Sequence, residues 1–202
     1  MPKWSRFVLF VCFLCTAWAQ STDHLSDTEI AAAVAAPANS GFVDIMDAGF
    51  MTPTLCTAQM PSEAVFTPAG WVNVQSALAR RKFLPFHPNP DDTVRALRII
   101  SKGCANGTPS GPVCDSITRV VLLSDKAGTV TAEAIKQYSV PITWQNGHGA
   151  TTTCANLISL FSMDDVTRVR KEHGEFLIAT FNGSQPLKTY TVKEKHLKKL
   201  GL

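Results

Sequence analysis

The apolar positions of this chain begin as a run over residues 7–17, interrupted only by Thr16, preceded by Lys3 and Arg6 and closed by Ala17-Trp18-Ala19. A basic start, an apolar stretch well short of the ~20 residues that a membrane-spanning helix needs, and small residues ahead of Gln20 together read as a cleavable export signal. Residues 1–19 are therefore expected to leave, and 20–202 to form a single exported domain, secreted or periplasmic, with no transmembrane segment after cleavage. Lipid attachment is disfavoured, because Cys12 and Cys15 follow Val11 and Leu14 rather than a small residue.

Beyond the signal the periodicity changes several times. Ser26-Asp27-Thr28-Glu29 has the spacing of a capping box, in which serine and glutamate each satisfy a free amide at a helix start. A short alanine-rich helix is expected from there to Ala36. Its apolar stripe is only Ile30 and Val34, so residues 20–40 read as a loosely packed arm. Residues 42–66 are apolar but broken by Pro53 and Pro61, and are expected to be irregular. Thr67-Pro68 then gives an N-cap and a first-turn proline. Trp71, Val74 and Leu78 are expected to share the buried face of that helix, Arg80, Arg81 and Lys82 to close it, and Pro85 to stop it. The prolines at 85, 88 and 90 make a stiff connector.

From residue 94 onward the pattern is that of β-structure. Strands are expected over 94–100, 117–123, 129–135 and 140–145, with 124–128 forming a tight turn on Gly128. A helix capped by Ser162, with Asp164 and Asp165 in its first turn, should end at Gly174. Residues 176–181 and 187–192 form a last hairpin about Asn182-Gly183-Ser184. The chain closes on a basic segment, 193–202, whose Leu197 and Leu200 can dock one face. The expected class is α+β: an antiparallel sheet of meander or sandwich-like hairpins over 94–192, an N-terminal helical segment and a few flanking helices.

Composition sharpens this in two ways. Removing Lys3 and Arg6 leaves 19 − 2 = 17 basic residues against 16 acidic ones, and a net charge near +1 predicts no general affinity for nucleic acid. Of six cysteines, Cys56, Cys104, Cys114 and Cys154 remain, an even number that in an oxidising compartment argues for two disulfides. Cys104 with Cys114 is favoured, because the intervening residues are rich in turn formers, and Cys56 with Cys154 follows by elimination. The second bridge would close a long loop, worth roughly 4–5 kcal/mol in the chain-entropy model. Neither zinc-type nor thioredoxin-type cysteine spacing is present, so no metal and no cofactor are expected.

The densest group of ligand-binding side chains is Trp144-Gln145-Asn146-Gly147-His148-Gly149. Trp144 offers an aromatic platform, Asn146 an amide and His148 an imidazole, while the glycines let a ligand approach the backbone. A sugar or peptidoglycan fragment suits such a strand end. The adjacent Asp164 and Asp165 point about 100° apart on a helix and are expected to cap it rather than flank a glycosidic bond. No Gly-x-Ser-x-Gly elbow and no His-Glu-x-x-His occurs. The leading expectation is thus a non-catalytic binding or structural domain. Two alternatives are a hydrolase pairing His148 with a distant carboxylate such as Asp125, and an envelope component held by weak contact of the basic tail with an anionic surface. Asn106 and Asn182 stand in glycosylation acceptor sequences, relevant in a eukaryotic host.

Overall fold

The computed structural model describes residues 24–46, 62–102, 105–108, 111–113, 117–145, 151–171 and 174–202. Helix α1 spans Asp27–Ala35 and carries the capping box in full. Ser26 donates its backbone N–H to Glu29 at 2.8 Å, and Glu29 returns its N–H to the Ser26 hydroxyl. Arg95 ties the same glutamate to the body of the protein at 2.5 Å, and Leu25 N–H donates to the Thr93 carbonyl at 2.7 Å.

Strands β1 (Phe42–Met46) and β2 (Ser62–Phe66) occupy both ends of the segment expected to be irregular. The prolines that motivated that reading, Pro53 and Pro61, fall between the strands and leave both ladders intact. Val43 and Ile45 point to the core in strict alternation, as does Val65 on β2. Helix α2 (Pro68–Arg81) starts on the Thr67 hydroxyl, which accepts from the Gly70 N–H at 3.0 Å. It buries Gly70, Val72, Asn73 and Ser76. The expected face of Trp71, Val74 and Leu78 is therefore rotated, and Leu78 is left 42% exposed. Two small residues set that rotation. A Cβ on Gly70 would strike the Gly41 carbonyl, so only a glycine lets α2 lie this close to the turn before β1.

The remaining elements are β3 (Ala96–Lys102), β4 (Ala105–Thr108), β5 (Gly111–Val113), β6 (Arg119–Leu123), β7 (Thr131–Glu133), β8 (Lys136–Gln145), β9 (Thr151–Ser162), α3 (Met163–Lys171), β10 (Phe176–Asn182), β11 (Gln185–Val192) and α4 (Glu194–Leu200). They form a five-stranded antiparallel sheet, β1-β2-β3-β9-β8, and a four-stranded one, β11-β10-β6-β7, beside the small β4-β5 hairpin. The expected α+β class with antiparallel sheet is thus found. One core takes Val65, Leu97, Ile99 and Phe161 from the larger sheet and Val120, Leu122, Phe176 and Ile178 from the smaller. Val166 and Val169 of α3 and Leu197 and Leu200 of α4 complete it.

Strand β9, the longest among the described residues, was not among the expected elements. Over 157–161 it is buried on both sides, with Leu157 and Phe161 in the core and Ile158 and Leu160 also buried, so the alternation that marks a half-exposed strand is absent. By contrast β7 shows the predicted pattern: Ala132 is buried between exposed Thr131 and Glu133, and Ile135, on the polar phase, is 60% exposed. Gly128 holds the turn before it at a φ of +70°. Ser162 caps α3 as expected, accepting from the Asp165 N–H at 3.0 Å.

Candidate functional site

Trp144 and Gln145, the first two residues of the strand-end constellation, close strand β8 of the larger sheet. β3 pairs with β9 only as far as the Lys102/Asn156 register position. The β8-β9 ladder continues past it for five more pairs, from Pro141/Ala155 to Gln145/Thr151. Trp144 lies opposite Thr152 and Ile142 opposite Cys154 on this two-stranded ribbon. Asn146 and His148 lie outside the described residues, as do Cys56, Cys104 and Cys114, and the side chains of Trp144 and Cys154 fall there too. The chain leaves β1, enters β2, leaves β3 and turns from β8 into β9 at one end of the five-stranded sheet, because its neighbours are antiparallel throughout.

Asp125, the carboxylate considered as a partner for His148, works inside its own turn. It accepts from the Thr129 N–H at 3.2 Å, and the Thr129 side chain and amide hold its pKa below the ordinary value. Asp165 is likewise occupied: it pairs with Arg168 at 2.6 Å and accepts from the Ser162 hydroxyl at 2.8 Å, and these contacts lower its pKa. Glu133 pairs with Arg119 across β6 and β7. Each of these carboxylates is engaged by a neighbour four residues away or fewer, or across one strand pair.

A cluster that sequence spacing did not announce lies on the outer face of the larger sheet, beneath α2. Arg98 is 97% buried in the middle of β3, and its guanidinium lies 4.1 Å from the centre of the Trp71 ring. One terminal nitrogen donates to the Asp91 carbonyl at 2.6 Å, while Nε and the other terminal nitrogen have no hydrogen-bond partner among the described residues. Burial lowers its pKa, opposed by the charges of Tyr138, Asp92 and Asp91. Trp71 Nε1 donates to Asp92 at 2.8 Å, Asp92 also accepts from the Asn89 N–H at 3.0 Å, and Lys136 pairs with Asp91 at 3.2 Å. Phe66, stacked on Phe42, meets the edge of the same indole. The group pins the 3-10 turn Pro90–Asp92 and α2 against the sheet. Its chemistry is cation-π stacking and amide capping rather than proton transfer.

In the interior, Glu63 is fully buried on β2 and accepts from the Ser101 hydroxyl at 2.5 Å. Gln137 donates to Ser159 at 3.0 Å and to the Val120 carbonyl at 3.1 Å, a polar tie between the two sheets. The basic C-terminal segment is a docked helix: Leu197 and Leu200 are buried, while Lys195, Lys198 and Lys199 are exposed and Lys198 pairs with Glu194. Among the described residues, no group of three metal-ligating side chains comes together and no helix is long and apolar enough to cross a membrane. No protein-family model matches the chain, and neither a curated protein nor a solved structure does.

Proposed function

We propose that the chain is an exported, non-catalytic binding domain whose contact element is the β8-β9 ribbon and the residues 144–149 that close it. The observation that carries this reading is the five-pair extension of the ribbon past β3, which places the Trp144 position beyond the main body of the sheet. Among the described residues no third strand pairs with this extension, and a two-stranded ribbon adds little to a core, so its length has its use outside the fold. The aromatic, amide and imidazole groups of Trp144, Asn146 and His148 suit a sugar or peptidoglycan fragment, stacked on an apolar face and hydrogen-bonded at its rim. The non-catalytic part of the reading is supported by Asp125 and Asp165, which are engaged within their own turn and helix start, Asp125 by the Thr129 N–H and Asp165 by Arg168 and Ser162. Disulfides among Cys56, Cys104, Cys114 and Cys154 would brace the end of the sheet from which the ribbon projects.

The test is a fluorescence titration of the intact protein with soluble peptidoglycan fragments and with neutral oligosaccharides, alongside Trp144→Ala. The proposal expects a change in tryptophan emission that Trp144→Ala removes while the melting temperature stays within a few degrees of wild type. Equal loss of fold and signal would return Trp144 to a packing role. Hydrolysis of the fragments that His148→Ala abolishes would replace the binding reading with the hydrolase one.

A further inference from the structure

We propose a second contact site, separate from the ribbon: the segment 81–86 after α2 is an interfacial finger that docks on an anionic phospholipid surface. α2 ends at Arg81, and the chain turns back through Phe83 at a φ of +56°. The Phe83 N–H donates to the Arg80 carbonyl and the Leu84 N–H to the Ala79 carbonyl, both at 3.0 Å, so the left-handed residue is built into the helix stop. This is the position that glycine ordinarily fills, because a side chain there crowds the backbone. Phe83 nevertheless bears a phenyl ring and is 96% exposed, followed by Leu84 at 58%. Two costs thus coincide at one residue, backbone strain and an apolar ring in water, and among the described residues no burial of the ring compensates either. Neither the helix stop nor the core calls for phenylalanine here.

The surroundings specify the partner. Arg81 and Lys82 directly precede the ring, are exposed, and their side chains make no hydrogen bond or ion pair among the described residues. The nearest acids along the chain are engaged elsewhere, Asp91 by Lys136 and Asp92 by Trp71 and Asn89. Arg80 is turned inward to the Val34 carbonyl at 3.1 Å. The finger therefore presents two unneutralised cations beside an aromatic and an aliphatic tip, the combination by which peripheral segments bind anionic headgroups and bury apolar tips below them. The helix-stop hydrogen bonds and Pro85, directly after Leu84, restrict the backbone of the finger, so little chain entropy is lost on docking.

The experiment is flotation of the full chain with vesicles of phosphatidylglycerol and phosphatidylcholine in equal parts, against vesicles of phosphatidylcholine alone. Phe83→Gly should lower the partition onto anionic vesicles about tenfold or more, since a buried ring is lost. Reversing Arg81 and Lys82 to glutamate should lower it by at least about tenfold and remove its salt dependence. A Phe83→Trp variant adds a reading local to the finger, and its extra emission should be quenched by bromine-bearing acyl chains in anionic vesicles. Unchanged partition in Phe83→Gly together with no quenching at position 83 overturns the proposal, whatever the N-terminal segment does. Concentration-dependent dimerisation that Phe83→Gly abolishes, without vesicle binding, overturns it in favour of a second copy of the chain.

Discussion

The two ends of α2 solve opposite problems. At the N-terminal end the chain comes as close to itself as backbone allows: Gly70 lies against Gly41, and Thr67 bonds both. One turn on, the Asn73 amide donates to the Ala33 and Ala36 carbonyls and accepts from the Asn39 N–H. Residue types fit the geometry there: glycines stand at the close approach, and Asn39, at a φ of +66°, is of a type that tolerates the left-handed region. At the C-terminal end a phenylalanine occupies a left-handed position in full contact with water. Where residue and geometry agree, the fold explains the sequence. Where they conflict, the residue is explained by something outside the fold.

The contrast can be broken first at its tight end. Gly70→Ala forces α2 away from Gly41 and should destabilise by about 3 kcal/mol, read by urea unfolding. A change below about 0.5 kcal/mol would show that the close approach matters little. Asn73→Ala removes three hydrogen bonds from a buried amide and should cost about 2 kcal/mol. It should also speed amide exchange in α1 ahead of the sheets, since that helix is clasped through this side chain. Uniform exchange across the chain would deny it that role.

A smaller response comes from acid. The Ser26 backbone N–H and hydroxyl and the Arg95 guanidinium hold the Glu29 carboxyl at about 2 against an ordinary 4.5. A depressed carboxylate stabilises the fold fully above its unfolded pKa and loses that contribution as pH falls through the folded one. The pH dependence of stability between about 4.5 and 2 should therefore flatten in Glu29→Gln, and an identical slope in wild type and variant would refute the linkage. The smallest effect belongs to Phe83→Ala, which keeps the strained backbone and removes a ring that is 96% exposed. It should change stability by less than about 0.5 kcal/mol, and a larger loss would reveal packing of the ring in solution.

How far the sequence could be read follows the same division. The Ser26–Glu29 capping box, Thr67-Pro68, Ser162 and the Gly128 turn were legible because they are local: the residues that make the bond lie within four positions of each other. β9 was not, because a central strand buried on both faces carries no alternation, and β1 and β2 were obscured by prolines that lie between them. The rotation of α2 was hidden for a different reason. It is set by Gly41, almost thirty residues away, and the Trp71, Arg98 and Asp92 cluster is assembled from three elements with no shared motif. The ribbon that carries Trp144 was recognised by its residues, but its reach past β3 is a property of register, which only pairing reveals.

The claim that Phe83 is held against the preference of the fold is tested most directly by the melting temperature of Phe83→Gly. Glycine adopts a φ of +56° without crowding, and about 1 kcal/mol of relieved strain should raise the midpoint by roughly 2–4 °C. A lower midpoint would mean that the ring stabilises the folded chain, and Phe83 would then be a structural residue rather than one presented to a partner.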